Sequence, residues 1–147
     1  MEITANAIQT VLTNQNVYFT ETVIGGGCSI SHREGSGLIT LRGNGNQSRP
    51  RYKISFGGNI AVPTGETVGP VSLAIALEGE SIAASTMTVT PAAVENYFNV
   101  VAAIFVDVPR GCCISVSVKN VGTIPVDVQN ANLIIERVAG KEGLYVS

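Results

Sequence analysis

A chain of 147 residues is long enough for one domain whose core hides roughly two-thirds of the surface that the unfolded chain exposes. Hydrophobic residues make up 45% of it and charged residues only 14%, where an ordinary soluble domain carries about 25% charged. Nine basic and eleven acidic residues give a net charge of −2, which excludes a nucleic-acid binder: phosphate contacts need clustered cations, and the densest basic spot is Arg49, Arg51 and Lys53 along one alternating run.

The apolar excess has to be covered, and self-association covers it economically. No stretch reaches the roughly 18 uninterrupted apolar residues of a membrane span. The segment from Met1 to Leu12 lacks the basic region and long apolar run of a signal peptide, so neither membrane insertion nor classical export is expected.

In chain order, residues 1–14 read as an N-terminal segment or arm, 15–138 as one domain and 139–147 as a C-terminal tail. Short alternating runs punctuated by Gly, Pro and Asn predict strands over 8–12, 16–22, 28–32, 38–42, 51–62, 71–78, 85–90, 96–108, 112–120 and 125–138. That is about ten strands and no helix, the pattern of an all-β antiparallel sandwich. The breaks carry turn chemistry, as in "GGG" at 25–27, "GNGNQSRP" at 43–50 and "PTGETVGP" at 63–70, because glycine supplies positive φ and proline ends a ladder. "LEGE" at 77–80 reads as a tight hairpin that displays acidic side chains.

Parity sorts the faces. In "VSLAIALE" Val71, Leu73, Ile75 and Leu77 share one side. In "FNVVAAIFVDV", 98–108, the even positions are all apolar, yet Val101, Ala103 and Phe105 on the odd side are apolar too. Only one face of a sandwich strand meets its core, so a second apolar face predicts a subunit contact, with a loop or terminus of the same chain folded over it as the alternative. Phe98, Val100, Val101, Ala103 and Phe105 are the candidate contact residues. In "VDVQNANL" the apolar parity shifts from even (Val126, Val128) to odd (Leu133, Ile135), which predicts a β-bulge or bend.

The residues that carry chemistry are sparse. Cys112 and Cys113 are adjacent, so in a strand they point to opposite faces and suit neither joint metal ligation nor a disulfide. With Cys28 they show no Cys-x-x-Cys spacing and read as small hydrophobes. His32, the lone histidine, has no nucleophile or paired carboxylate in a recognisable motif beside it. The acidic residues are scattered over turns and strand ends, and the glycine-rich loops precede no helix that would cradle a phosphate. The expectation is a protein that is not an enzyme and needs no metal or cofactor.

"NVYFTET", "HREGSGLITLRG", "YKISFGGNIAVPTGETVGPVSLAIALEGE" and "VDVPRGCCISVSVKNVGTIPVDVQNANLIIERV" together resemble the small trimeric jelly-roll proteins of Firmicutes and their phages or prophages. That family is similar in outline to complement globular heads and tumour necrosis factor. The likeness spans about residues 15–138 and rests on the order of its segments. It implies an antiparallel jelly-roll β-sandwich forming a homotrimer, with the central strands along a threefold axis. The chain carries no collagen-like Gly-X-Y stalk, and no calcium-ligand cluster matches.

The expected function is a structural component of a phage particle, a trimeric head decoration or head-fibre protein. It would be assembled in the bacterial cytoplasm, with a capsid or fibre protein as partner besides its own copies. The alternative is an adhesive knob on a phage fibre, a bacterial cell or a spore surface, binding a host-surface glycan or receptor. In that case Asn46, Gln47 and Arg49 in one loop and Thr64 and Glu66 in another would be the exposed contacts.

Overall fold

The computed structural model describes residues 1–43, 49–109 and 113–139. Among these residues twelve strands form two six-stranded antiparallel sheets, with one short 3-10 turn at Ala83–Ser85. The strands are β1 (Glu2–Ala5), β2 (Gln9–Val11), β3 (Glu21–Ile24), β4 (Ile30–His32), β5 (Ile39–Arg42), β6 (Arg51–Ala61), β7 (Val71–Leu77), β8 (Glu80–Ser81), β9 (Met87–Val89), β10 (Phe98–Asp107), β11 (Cys113–Asn120) and β12 (Val126–Ala139). The first sheet runs β10-β6-β12-β1-β3, with β2 also on β12; the second runs β4-β5-β11-β7-β8, with β9 also on β7.

The inward sides of the two sheets make the core. β6 alternates buried and half-buried from end to end, with Tyr52, Ile54, Phe56 and Ile60 pointing in. Phe19 meets Phe56 edge-on at 6.4 Å and His32 at 6.3 Å, the offset geometry that aromatic quadrupoles favour.

The N-terminal segment is part of the domain and not an arm. β1 sits between β12 and β3, Ile3 and Ala5 are buried, and the Met1 ammonium donates to the Ile135 carbonyl at 2.7 Å. Four residues with two apolar side chains are too short a run for periodicity to flag, and the non-local ladders with β12 and β3 create the strand. Of the expected tail, 139–147, only Ala139 belongs to the described residues, as the end of β12.

Several expected strands are shorter than their sequence runs, two of them for a visible reason. Over 16–22 the ladder is confined to β3; before it, Val17 donates to Val118 in the second sheet and Thr20 donates to Thr4 in the first, so this stretch crosses between sheets. Over 85–90 the strand is Met87–Val89, because the Ser85 hydroxyl accepts from Ile75 N–H at 2.8 Å and donates to the Ile82 carbonyl at 2.7 Å, replacing ladder bonds.

Two local readings of the sequence match the structure. Glu78 and Gly79 both have positive φ, 54° and 83°, in a two-residue hairpin that pairs Leu77 with Glu80. The β12 register shifts between Gln129 and Asn132, with Asn130 at φ 55°. That bulge moves the buried set from Val126 and Val128 to Leu133 and Ile135.

Candidate functional site

Among the described residues β10 is an edge strand paired with β6 alone, and its ladder fixes which residues share the outer face. Val101 faces Gly57, Ala103 faces Ser55 and Phe105 faces Lys53. One strand further, Asn132, Ile134 and Glu136 of β12 continue the same three rows. The result is a band whose β10 row is apolar, with Val101 70% and Phe105 63% exposed, while Ser55, Lys53, Asn132 and Glu136 add polar side chains on β6 and β12. No segment of the described chain folds over those two side chains.

The ends of the band are polar and internally paired. At one end Arg51 forks onto Asp107 at 2.7 and 3.0 Å. That bond, with the opposite charge, raises the Arg51 pKa and lowers that of Asp107. At the other end Asn99 Nδ2 donates to Asn59 Oδ1 at 3.0 Å. Because Gly57 has no side chain, a shallow concavity of about 560 Å³ opens between Val101, Ala103, Ser55 and Asn132.

Of the five expected contact residues, Phe98, Val101, Ala103 and Phe105 are exposed. Val100 is corrected: it points inward, is 9% exposed and belongs to the subunit's own core. The alternation of a regular strand requires this, since Val100 and Val101 cannot share a face. Phe98 lies on the same side as Val100 but at the strand end, which leaves it 42% exposed.

The expected loop contacts do not come together. Asn46 and Gln47 lie outside the described residues. Arg49 is exposed just before β6, while Thr64 and Glu66 are exposed just after it; β6 has 11 residues, which puts about 35 Å between them. Thr64 is held in place, its N–H and Oγ1 both donating to Glu95 Oε2 at 3.0 Å.

The cysteine reading is corrected for the two described thiols. Cys28 and Cys113 are both exposed, so neither is a core hydrophobe; Cys113 points outward as its parity predicts, and Cys112 lies outside the described residues. Among the described residues no group of three or more His, Cys, Asp or Glu is arranged to hold a metal. His32 donates from Nε2 to the Ser36 carbonyl at 2.8 Å, and its Nδ1 is buried without a partner.

Sequence reasoning missed two polar sites. Asn120 is fully buried and ties three segments together: its Nδ2 donates to Val11 and Ile124 carbonyls, and its Oδ1 accepts from Gly122 N–H. Asp127 is 5% exposed and accepts from Thr10 Oγ1 at 2.6 Å. Burial, reinforced by the neighbouring Glu95 carboxyl, pushes Asp127 above the usual carboxylate range. The Tyr97 hydroxyl and Thr64 N–H hold Glu95 below it, and burial with the Glu95 bond pushes Tyr97 up to about 12. Neither site has a sequence signal, because Val11 for Asn120 and Thr10 and Glu95 for Asp127 come from distant parts of the chain.

No family model and no curated protein sequence matches the chain. Among solved structures, the globular domain of a zebrafish complement 1qA protein superposes with a TM-score of 0.69 at 11% identity, over 95% of this chain and 97% of that one. The Podospora anserina GH26-CBM35 β-(1,4)-mannanase matches at TM-score 0.37 and 15% identity, over 97% of this chain and 29% of that one. The EclA C-terminal domain, a sugar-binding protein, matches at TM-score 0.36 and 12% identity, over 79% and 89%. The similarity to the complement domain, over nearly the full length of both chains, shows the fold of this protein: a two-sheet antiparallel jelly roll like that of complement globular domains.

Proposed function

We propose that the chain is a trimer-forming structural component of a phage particle, a head decoration or head-fibre protein, and that the outer face of β10, β6 and β12 meets its copies around a shared axis. The observation that carries this reading is the strip Val101, Ala103 and Phe105, apolar, outward and uncovered by the subunit's own chain. Fully burying a large apolar side chain is worth about 1.5–3 kcal/mol, so a few such side chains from each copy supply the core of an interface.

The surroundings of the strip suit self-docking. Arg51 and Asp107 neutralise each other, as Asn99 and Asn59 satisfy each other, and Lys53 and Glu136, which continue the row of Phe105, are of opposite sign and directly across the ladder from each other. The resemblance of the segment order to jelly-roll proteins of Firmicutes and their phages or prophages supports the particle as the setting.

Light scattering on the purified chain tests the assembly, with a mass three times that of the single chain as the expected result. Mass spectrometry of purified virions tests the setting. A monomer at micromolar concentration would remove the first part, and absence of the chain from virions the second.

A further inference from the structure

The second sheet carries an open cleft of about 410 Å³ on β4 and β5, lined by Ser31, His32, Arg33, Ser36, Leu38 and Thr40. Ser31 and Thr40 are direct cross-strand partners, so their hydroxyls stand side by side. Arg42, two residues beyond Thr40 on the same face, donates from Nη1 to Ser31 Oγ at 2.8 Å, which holds its guanidinium at the rim. Arg33 lies at the other end. Neither arginine is bridged to a carboxylate among the described residues. The adjacent acid, Glu34, accepts from Thr22 N–H at 3.1 Å, and Glu78 is engaged on the far edge of β11 by Ser115 N–H.

A guanidinium with no carboxylate partner is a site for an oxyanion, because its donors match carboxylate, sulfate and phosphate geometry. The rest of the lining narrows the class. Three hydroxyls and Leu38, which is 51% exposed, offer both hydrogen-bonding groups and an apolar surface. That combination fits a ring bearing hydroxyls on its edge and C–H groups on its face. No Phe, Tyr or Trp lines the cleft, and the His32 ring packs edge-on to Phe19, so a nucleobase would find no broad stacking platform.

We infer that this cleft binds an acidic saccharide, with a carboxylate or sulfate at either of the two end arginines, Arg33 or Arg42, and its hydroxyls at Ser31, Ser36 and Thr40. The site lies on the sheet opposite the proposed assembly face and goes beyond the structural role: it would give the particle a surface that holds anionic glycans.

Calorimetric titration and amide NMR with four probes test it: a sialylated trisaccharide, a sulfated uronic-acid disaccharide, a neutral parent sugar and sodium sulfate. The expected result is that at least one anionic sugar binds, with shifts at the Ser31 and Thr40 amides, and that it binds about tenfold more weakly to the double variant Arg33→Ala/Arg42→Ala. Both arginines are exposed, so the thermal midpoint should hold and report that the variant is folded. Binding by neither anionic sugar, equal binding by the double variant, or equally tight binding by sulfate, which would mark an adventitious ion only, overturns the inference. The double variant should keep the wild-type mass in light scattering, and a Phe105→Glu variant should keep sugar binding, so failure of the cleft and failure of the assembly reading are separable.

Discussion

Val101 stands directly across the ladder from Gly57, and a methyl group placed on Gly57 would meet Val101 Cγ1 at 3.5 Å. That is an ordinary van der Waals contact, and Gly57 does not have a positive φ. The backbone therefore does not require glycine there. Gly57→Ala should fold and gain a few tenths to about 1 kcal/mol through lower unfolded-state entropy, read as a higher denaturant midpoint. Its neighbour behaves oppositely: a Cβ on the inward-facing Gly58 would come within 3.2 Å of Phe56 Cζ, so Gly58→Ala should lower the midpoint.

Phe105 separates assembly from folding. It is 63% exposed in the subunit, so Phe105→Glu takes little from the subunit's core. If copies meet on this face, the variant removes the largest apolar side chain of the strip and sets a carboxylate across the ladder from Lys53, so a charge has to be desolvated in the contact where a ring was buried. The expected outcome is a monomer by light scattering with unchanged far-UV circular dichroism. A variant that keeps its assembled mass would show that the strip is not the contact.

Asn120 is the polar keystone of the end of β11. Its side chain satisfies two carbonyls and one amide, from residues 11, 124 and 122. Asn120→Ala leaves all three without that partner and should cost about 2–4 kcal/mol. Asn120→Asp should be worse, because a carboxylate keeps the bond from Gly122 N–H but turns both donated bonds into repulsive contacts in a site closed to water. Urea denaturation of the two variants beside the wild type checks the order.

These residues show where the sequence was legible and where it was not. The long strands β6, β7, β10 and β12 stand within two residues of their expected bounds, because alternation over seven or more positions is a strong signal. The Glu78-Gly79 hairpin and the Asn130 bulge were readable for the same local reason: turn residues and a parity shift are written in neighbouring positions. β1 was not, since Glu2–Ala5 becomes a strand through its pairing with the distant β12 and with β3. On the candidate face, parity placed Val101, Ala103 and Phe105 together, but grouping Val100 with them ignored the same alternation. The Arg33 and Arg42 cleft was invisible because the two arginines are nine positions apart in sequence and share a face only once β4 and β5 pair.

Asp127 and Glu95 set the pH response of the end of the sandwich where β2, β12 and the loop after β6 meet. Asp127 is held above the usual carboxylate range by burial, so the fold favours its protonated form. That contribution is fully present below the unfolded value, about 4, and is lost as pH rises through the raised folded value. Glu95 is held below the usual range, chiefly by the Tyr97 hydroxyl; its contribution is present above the unfolded value and lost as pH falls through the lowered folded one. The two windows overlap where the pair holds one proton, and stability declines on either side. Asp127→Asn keeps the acceptor for Thr10 Oγ1, offers an N–H toward Glu95 and removes the titration. The variant should therefore lose less thermal stability than the wild type as pH is raised from about 5 to about 8, and should be the more stable of the two at the upper end. Calorimetric melting of both proteins across that range decides it. Parallel profiles would show that Asp127 carries its charge in the folded state without cost, and the assignment of the shared proton would fall.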